Sequence, residues 1–233
     1  MISHKHKCIF VHVPKAAGIS IEEIFLDDLN LNFQNRMALL LGKNTNKSLG
    51  PPFVSHLTSS EYITQHFITQ KQFETYFTFG WVRNPYDRVY SFYKYLGYKS
   101  LMSFEKFVIN YMPNLINDKN IKYFLQPMWN YLSIDGKIAV KYVGKLENIE
   151  SDILEVFKNS KIERRNIPHS NNSKEISLRE KTKRIFRILK KSPLAFRHCL
   201  VSKKSKKKEW TDEMKNVIYT IYKVDFLNFN YDK

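Results

Sequence analysis

The feature that most constrains this chain is the run from Cys8 to Leu29. Cys8-Ile9-Phe10-Val11-His12-Val13 is a short apolar, β-branched stretch stopped by Pro14. Such a run reads as a strand buried on both faces. From Gly18 onward the spacing changes to that of a helix, with Ile21, Ile24, Phe25 and Leu29 on one side. Ser20 with Glu23 three residues later has the form of a capping box. A buried strand, a short polar turn and an amphipathic helix in immediate succession form the opening unit of an α/β fold.

The same alternation continues. Tyr76–Val82 reads as a second strand, and Asn84-Pro85 as an N-cap with proline at the first helical position of a helix reaching about Leu96. Residues 42–60, rich in Gly, Asn and Pro, read as a loop. Ser103–Met112 and Ile121–Tyr131 have helical patterns, Ala139–Leu146 reads as a third strand, and Ile149–Phe157 as the helix after it. Asp212–Phe226 is an amphipathic helix with Met214, Val217, Ile218, Ile221 and Tyr222 on one stripe. Strands alternating with helices imply a central, mostly parallel sheet flanked by helices on both faces. At 233 residues the expectation is a single domain over 1–233, with a basic insertion at about 178–208.

Composition narrows the class. Hydrophobic residues at 43% and aromatics at 15% suffice for a core and exclude a disordered chain. Two cysteines, Cys8 and Cys199, cannot build a disulfide framework and fit a reducing compartment. With neither a signal-peptide core nor an apolar run long enough to span a bilayer, the expected location is cytoplasmic. His4, His6 and Cys8 could suggest a metal site, but a frayed basic N-terminus is the expectation. The net charge is +16, of which residues 179–208 carry +12. A field of this sign attracts anionic partners. Within 178–189, Ile185, Phe186, Ile188 and Leu189 lie among Lys and Arg. That segment is expected to contact an anionic membrane surface, so that the protein is peripheral to it, or an acidic polysaccharide, or to be a solvated insertion.

Two segments carry chemistry. In Pro14-Lys15-Ala16-Ala17-Gly18-Ile19-Ser20 a strand-to-helix turn gathers backbone N–H groups and the positive end of a helix dipole at one point, beside the Lys15 ammonium. The alternative is a plain turn with an exposed lysine. It is not a Walker A loop, because Lys15 precedes its only glycine. The second segment is Arg83-Asn84-Pro85-Tyr86-Asp87-Arg88-Val89-Tyr90-Ser91. Arg83 at a strand end and Ser91 two turns into the next helix suit a phosphate. The alternative pairs Arg83 with Asp87 and makes Ser91 a packing residue.

Together and in this order, the two segments resemble those of the carbohydrate sulfotransferases that use 3′-phosphoadenosine 5′-phosphosulfate (PAPS), the Golgi-type and heparan 2-O-like superfamily. Phe10–Ser20 resembles that family's 5′-phosphosulfate loop, and Arg83–Ser91 its 3′-phosphate motif. Ser55-His56-Leu57-Thr58, Val143–Ile149, His169-Ser170-Asn171-Asn172-Ser173 and Tyr222–Tyr231 resemble further family segments. The loop departs from the usual Thr-Gly-Gly-Thr-Ser: Ala16 and Ile19 stand where hydroxyl donors are usual.

The resemblance implies a P-loop-like three-layer fold and in-line transfer of a sulfuryl group from PAPS to a carbohydrate hydroxyl, with no metal required. It implies that Pro14, Lys15, Ala16, Ala17, Gly18, Ile19 and Ser20 hold the 5′-phosphosulfate, with Lys15 on the bridging oxygen. Arg83 and Ser91 are expected to hold the 3′-phosphate, and His56 to act as base. His169 competes for that role, with Asn171 and Ser173 as substrate contacts. Glu22, Glu23 and Glu61 are weaker base candidates, and His12, alternating with apolar strand residues, is read as structural. One rival is a P-loop-like nucleotide kinase, which needs a Walker Lys-Ser/Thr pair and a magnesium-binding carboxylate that the sequence does not offer. Another is a non-catalytic basic module binding nucleic acid or glycan. Nucleic acid is disfavoured because the aromatics lie in core elements. A sulfotransferase-like fold that has lost activity is the third.

Overall fold

The computed structural model describes residues 1–32, 34–44, 51, 53–118, 121–164, 166–167 and 210–233. In chain order the strands are β1 (Ile2–Ser3), β2 (Cys8–Val11), β3 (Phe77–Val82), β4 (Ser133–Ile134), β5 (Lys137–Ile138) and β6 (Tyr142–Lys145). The helices are α1 (Gly18–Asp28), α2 (Ser59–Thr64), α3 (Gln70–Thr75), α4 (Pro85–Leu96), α5 (Phe104–Lys106), α6 (Met112–Leu115), α7 (Lys122–Leu125), α8 (Trp129–Leu132), α9 (Ile149–Ser160) and α10 (Asp212–Asn228). The described residues form two compact units, one from 1–83 and 126–167, the other from 84–125 and 210–233.

The first unit holds the central sheet, in the order β1-β2-β3-β6. β2, β3 and β6 run parallel, with Phe10 opposite Phe79 and Gly80 opposite Val143, and only β1 is antiparallel. Alternation along the strands explains the layers. Phe10 and Phe79 stack at 5.1 Å on the face where Phe25 of α1 meets Phe79 at 6.1 Å. Tyr142 on β6 donates its hydroxyl to the Asp152 carbonyl of α9. The opposite face closes around Gly80, where a Cβ would overlap the Leu132 side chain at the end of α8. Helices therefore cover both faces of a mostly parallel sheet, as the alternating pattern predicts.

The second unit is an aromatic cluster around α4, α5 and α10. Val89, Tyr93, Phe104, Phe107, Met112, Ile218 and Tyr222 are all buried in it. Arg88 is 1% exposed, its guanidinium over the rings of Phe92 (5.1 Å) and Tyr222 (5.7 Å). It donates to the Phe124 carbonyl at 3.2 Å, and Tyr222 donates to the Leu125 carbonyl at 2.6 Å. The last carbonyls of α7 are thus satisfied by side chains from α4 and α10. Burial and the facing Asp225 carboxylate raise the Tyr222 phenol well above its ordinary range, against the Arg88 charge.

Several local expectations need correction. The N-terminus is not frayed: β1 pairs with β2, and His6 lies between the Asp28 carboxylate (3.1 Å) and the Ser160 carbonyl (3.0 Å). Ser20 and Glu23 form no capping box. The N-cap of α1 is Ala17, whose methyl has nothing to offer an N–H, and Ser20 is buried within the first turn. The helical pattern of 121–131 is broken before Pro127 into α7 and α8. The third strand is shorter than Ala139–Leu146, because β4 and β5 first make a hairpin through Asp135-Gly136, both at positive φ. Among the described residues no helix is long and apolar enough to cross a membrane.

Candidate active site

Parallel strands in register end together, so the turns that follow them share one edge of the sheet. β2 and β3 pair up to Val11 and Gly80. The turn after β2 contains Lys15, and β3 is followed at once by Arg83. The Arg83 guanidinium reaches that turn and donates to the Lys15 carbonyl at 3.5 Å. The Arg83 backbone N–H points at the Met128 sulfur at 3.4 Å. The Arg83 side chain is thereby brought to the backbone of a turn 68 residues earlier in the chain.

The turn itself is unusual. Lys15 and Ala17 both adopt left-handed backbone, with φ 67° and 64°. For non-glycine residues this costs about 1–2 kcal/mol each. Ala16 donates to the Val13 carbonyl and Ser20 to the Ala17 carbonyl, which closes the turn on itself. α1 starts with no side-chain cap and no acidic residue in its first turn. Its opening N–H groups therefore carry the positive end of the helix dipole with no carboxylate to offset it. Pro14, Ala16, Ala17, Gly18 and Ser20 are buried, Lys15 is half-buried, and Ile19 points outward, 54% exposed. The turn therefore combines uncapped helix N–H groups with one ammonium, that of Lys15.

His56 closes a short 3-10 turn, Val54–His56, just before Thr58 caps α2. Its Nδ1 lies 3.4 Å from the His12 carbonyl, and its ring meets the His12 ring edge-on at 4.5 Å. A carbonyl only accepts, so Nδ1 carries the proton and the neutral ring keeps its lone pair on Nε2. Burial, reinforced by the nearby His12, pushes the His56 imidazole well below its ordinary pKa. At neutral pH it is therefore uncharged, the state a proton acceptor needs.

His12 is a residue whose surroundings the strand alternation did not reveal. Its ring stacks on Phe10 at 5.5 Å, and its Nδ1 sits 2.5 Å from the Glu22 carboxylate. A Cβ at Gly18 would overlap this imidazole, which is why the turn needs glycine there. One signal was present in the sequence. Phe10 and His12 share a strand face, and Glu22 follows Ile21 on the helix that packs there.

The other candidates separate clearly. Glu61 serves α2, accepting from the Thr58 N–H at 2.8 Å in a complete capping box. Glu23 is half-buried on α1. Ser91 is half-buried on α4, in the second unit. His169, Asn171 and Ser173 lie outside the described residues, as does 179–208. Among the described residues no group of three or more His, Cys, Asp or Glu side chains is arranged to hold a metal ion.

Comparison with known proteins agrees with this geometry. An uncharacterized protein from Archaeoglobus fulgidus is 33% identical over 103 residues, 42% of this chain and 78% of that protein. No solved structure matches the chain. The sequence profile of the sulfotransferase family matches residues 1–232. A match of that extent, on a chain whose anion turn and strand-end arginine meet at one sheet edge, means that this protein belongs to the sulfotransferase family.

Proposed function

We propose that the protein transfers a sulfuryl group from PAPS to a hydroxyl of a carbohydrate acceptor. The observation that carries this reading is the contact of Arg83 with the Lys15 carbonyl, which joins the two anion-binding segments at one sheet edge. PAPS carries a phosphosulfate and a separate 3′-phosphate, and two cationic segments suit a donor with two anionic ends. The N–H groups at the start of α1 and the Lys15 ammonium stabilise the charge that develops on the bridging oxygen as the sulfur–oxygen bond breaks. Arg83 binds the 3′-phosphate. His56 Nε2 accepts the hydroxyl proton as the acceptor oxygen bonds to sulfur, and 3′,5′-ADP leaves. Ala16 and Ile19 lack hydroxyls, so the turn binds through its backbone. The segment 179–208 is proposed to hold an acidic glycan or to rest on an anionic membrane surface.

The test is thermal unfolding with 3′,5′-ADP, AMP, or ATP with Mg²⁺. A ligand at a hundredfold excess over its Kd stabilises the native state by about 2.7 kcal/mol. A clear shift with 3′,5′-ADP and little with AMP is expected. A shift with ATP and Mg²⁺ alone returns the reading to a nucleotide kinase. His56→Ala is expected to abolish transfer and keep the 3′,5′-ADP shift; retained transfer moves the base to His169. Because the His56 pKa is depressed in the folded state, the unfolded chain takes up its proton first as pH falls. Stability therefore declines below about pH 6.5, and His56→Ala flattens that decline.

A further inference from the structure

The geometry points to Glu22 and His12 as positioning residues for His56, a role that rests on reading His56 as the base. The His12 imidazole is held on four sides. Phe10 stacks on it at 5.5 Å, Gly18 leaves room for its edge, Glu22 takes its Nδ1 at 2.5 Å, and His56 meets it at 4.5 Å. The His12 side chain is 7% exposed and that of Glu22 14%. A carboxylate cannot donate, so Glu22 fixes the proton of His12 on Nδ1. The orientation of the ring follows from that bond. His56 then takes its own orientation from His12 twice, by ring packing and by its Nδ1 bond to the His12 carbonyl.

The arrangement has a chemical purpose. A base that collects a proton in the transition state must already point its lone pair at the acceptor, or the geometry is lost with the wrong tautomer. Glu22 belongs to α1, the helix that starts at the proposed anion loop, and His12 directly follows β2, the strand that leads into that loop. The base and the anion loop are thus positioned by the same two elements. The charged or titratable groups that act on His56 include His12 just after β2, Lys15 from the turn and the buried amino group of Met1. Glu22 faces His12 from α1.

Long-range proton–nitrogen spectra of protein labelled with ¹⁵N-histidine read the tautomer of each ring directly. Signals are assigned with His12→Asn and His56→Asn. In the native protein His56 is expected as a single Nδ1–H tautomer, and His12 with a proton on Nδ1. Glu22→Gln keeps the side-chain size, but its amide can either donate or accept. It is expected to give His12 two tautomers and to move the His56 nitrogen shifts with it, and Glu22→Ala to do so more strongly. Binding of 3′,5′-ADP is expected to change less than about twofold, since the Glu22 carboxylate is engaged with the His12 imidazole. His56 nitrogen shifts identical to native in both variants, even with a lowered Tm, overturn the inference and leave Glu22 as a packing residue. The two readings fail separately. An active His56→Ala protein removes the base and leaves the coupling, whereas an inactive one with no coupling does the reverse.

Discussion

α1 and α4 each follow a strand of the same parallel sheet, yet they begin in opposite ways. α4 has Asn84 as N-cap, its side chain accepting from Tyr86 (3.0 Å) and Asp87 (3.4 Å), with Pro85 at the first position and Asp87 in the first turn. α1 begins with Ala17 in left-handed backbone, with neither a side-chain cap nor an acid. The α4 start is built to be stable: its orphan donors are satisfied and its dipole is countered. The α1 start gives up about 1 kcal/mol of capping and holds two strained residues, the cost expected of the anion site proposed there. The two helix starts thus differ in how their first N–H groups are met: by side chains at α4, and by no side chain at α1.

Substitutions can break this contrast. Lys15→Ala should have the largest effect, lowering turnover by about 10²–10³ as loss of one charge-stabilising donor does. Near-normal turnover would remove Lys15 from the chemistry. Gly18→Ala comes next. Its new Cβ meets the His12 imidazole, and a forced shift of this kind costs about 1–3 kcal/mol. A Tm equal to the parent's would mean that His12 can move, which would also weaken the case for it as a rigid support. Asn84→Ala should be smallest, about 1 kcal/mol, read as a lowered Tm. Its 3′,5′-ADP shift should persist, whereas a Lys15 or Gly18 change alters the site itself.

Much of this was readable from residue order. The run ending at Pro14, the spacing after Gly18 and the Asn84-Pro85 pair located β2, α1 and the start of α4, because periodicity and cap chemistry are local. β1 was not readable, since two residues, Ile2 and Ser3, carry no period of their own and pair only through β2. The split of 121–131 follows Pro127, a local signal outweighed by the apolar pattern around it. Lys15, Arg83 and His56 could be nominated from their motifs. The neighbours of His12 were only hinted at by its spacing from Phe10, because contact between Glu22 and His12 depends on how α1 packs beside β2. Arg88 makes the same point from the other side. It stands in the second motif, but it is buried among Phe92, Tyr222 and the Phe124 carbonyl, holding its own unit together.

The sheet also bears on how this protein survives at high concentration. Among the described residues its outermost strands are β1, two residues long, and β6, four residues long and flanked by Lys141 and ended by Lys145. A long, flat, apolar edge invites another chain to add a strand and start a fibril. Here one edge is too short to template such pairing and the other carries ammonium groups at both ends. Among the described residues, these two edge strands thereby offer little for another chain to pair with. Replacing Lys141 and Lys145 by valine should raise light scattering on storage while leaving Tm nearly unchanged.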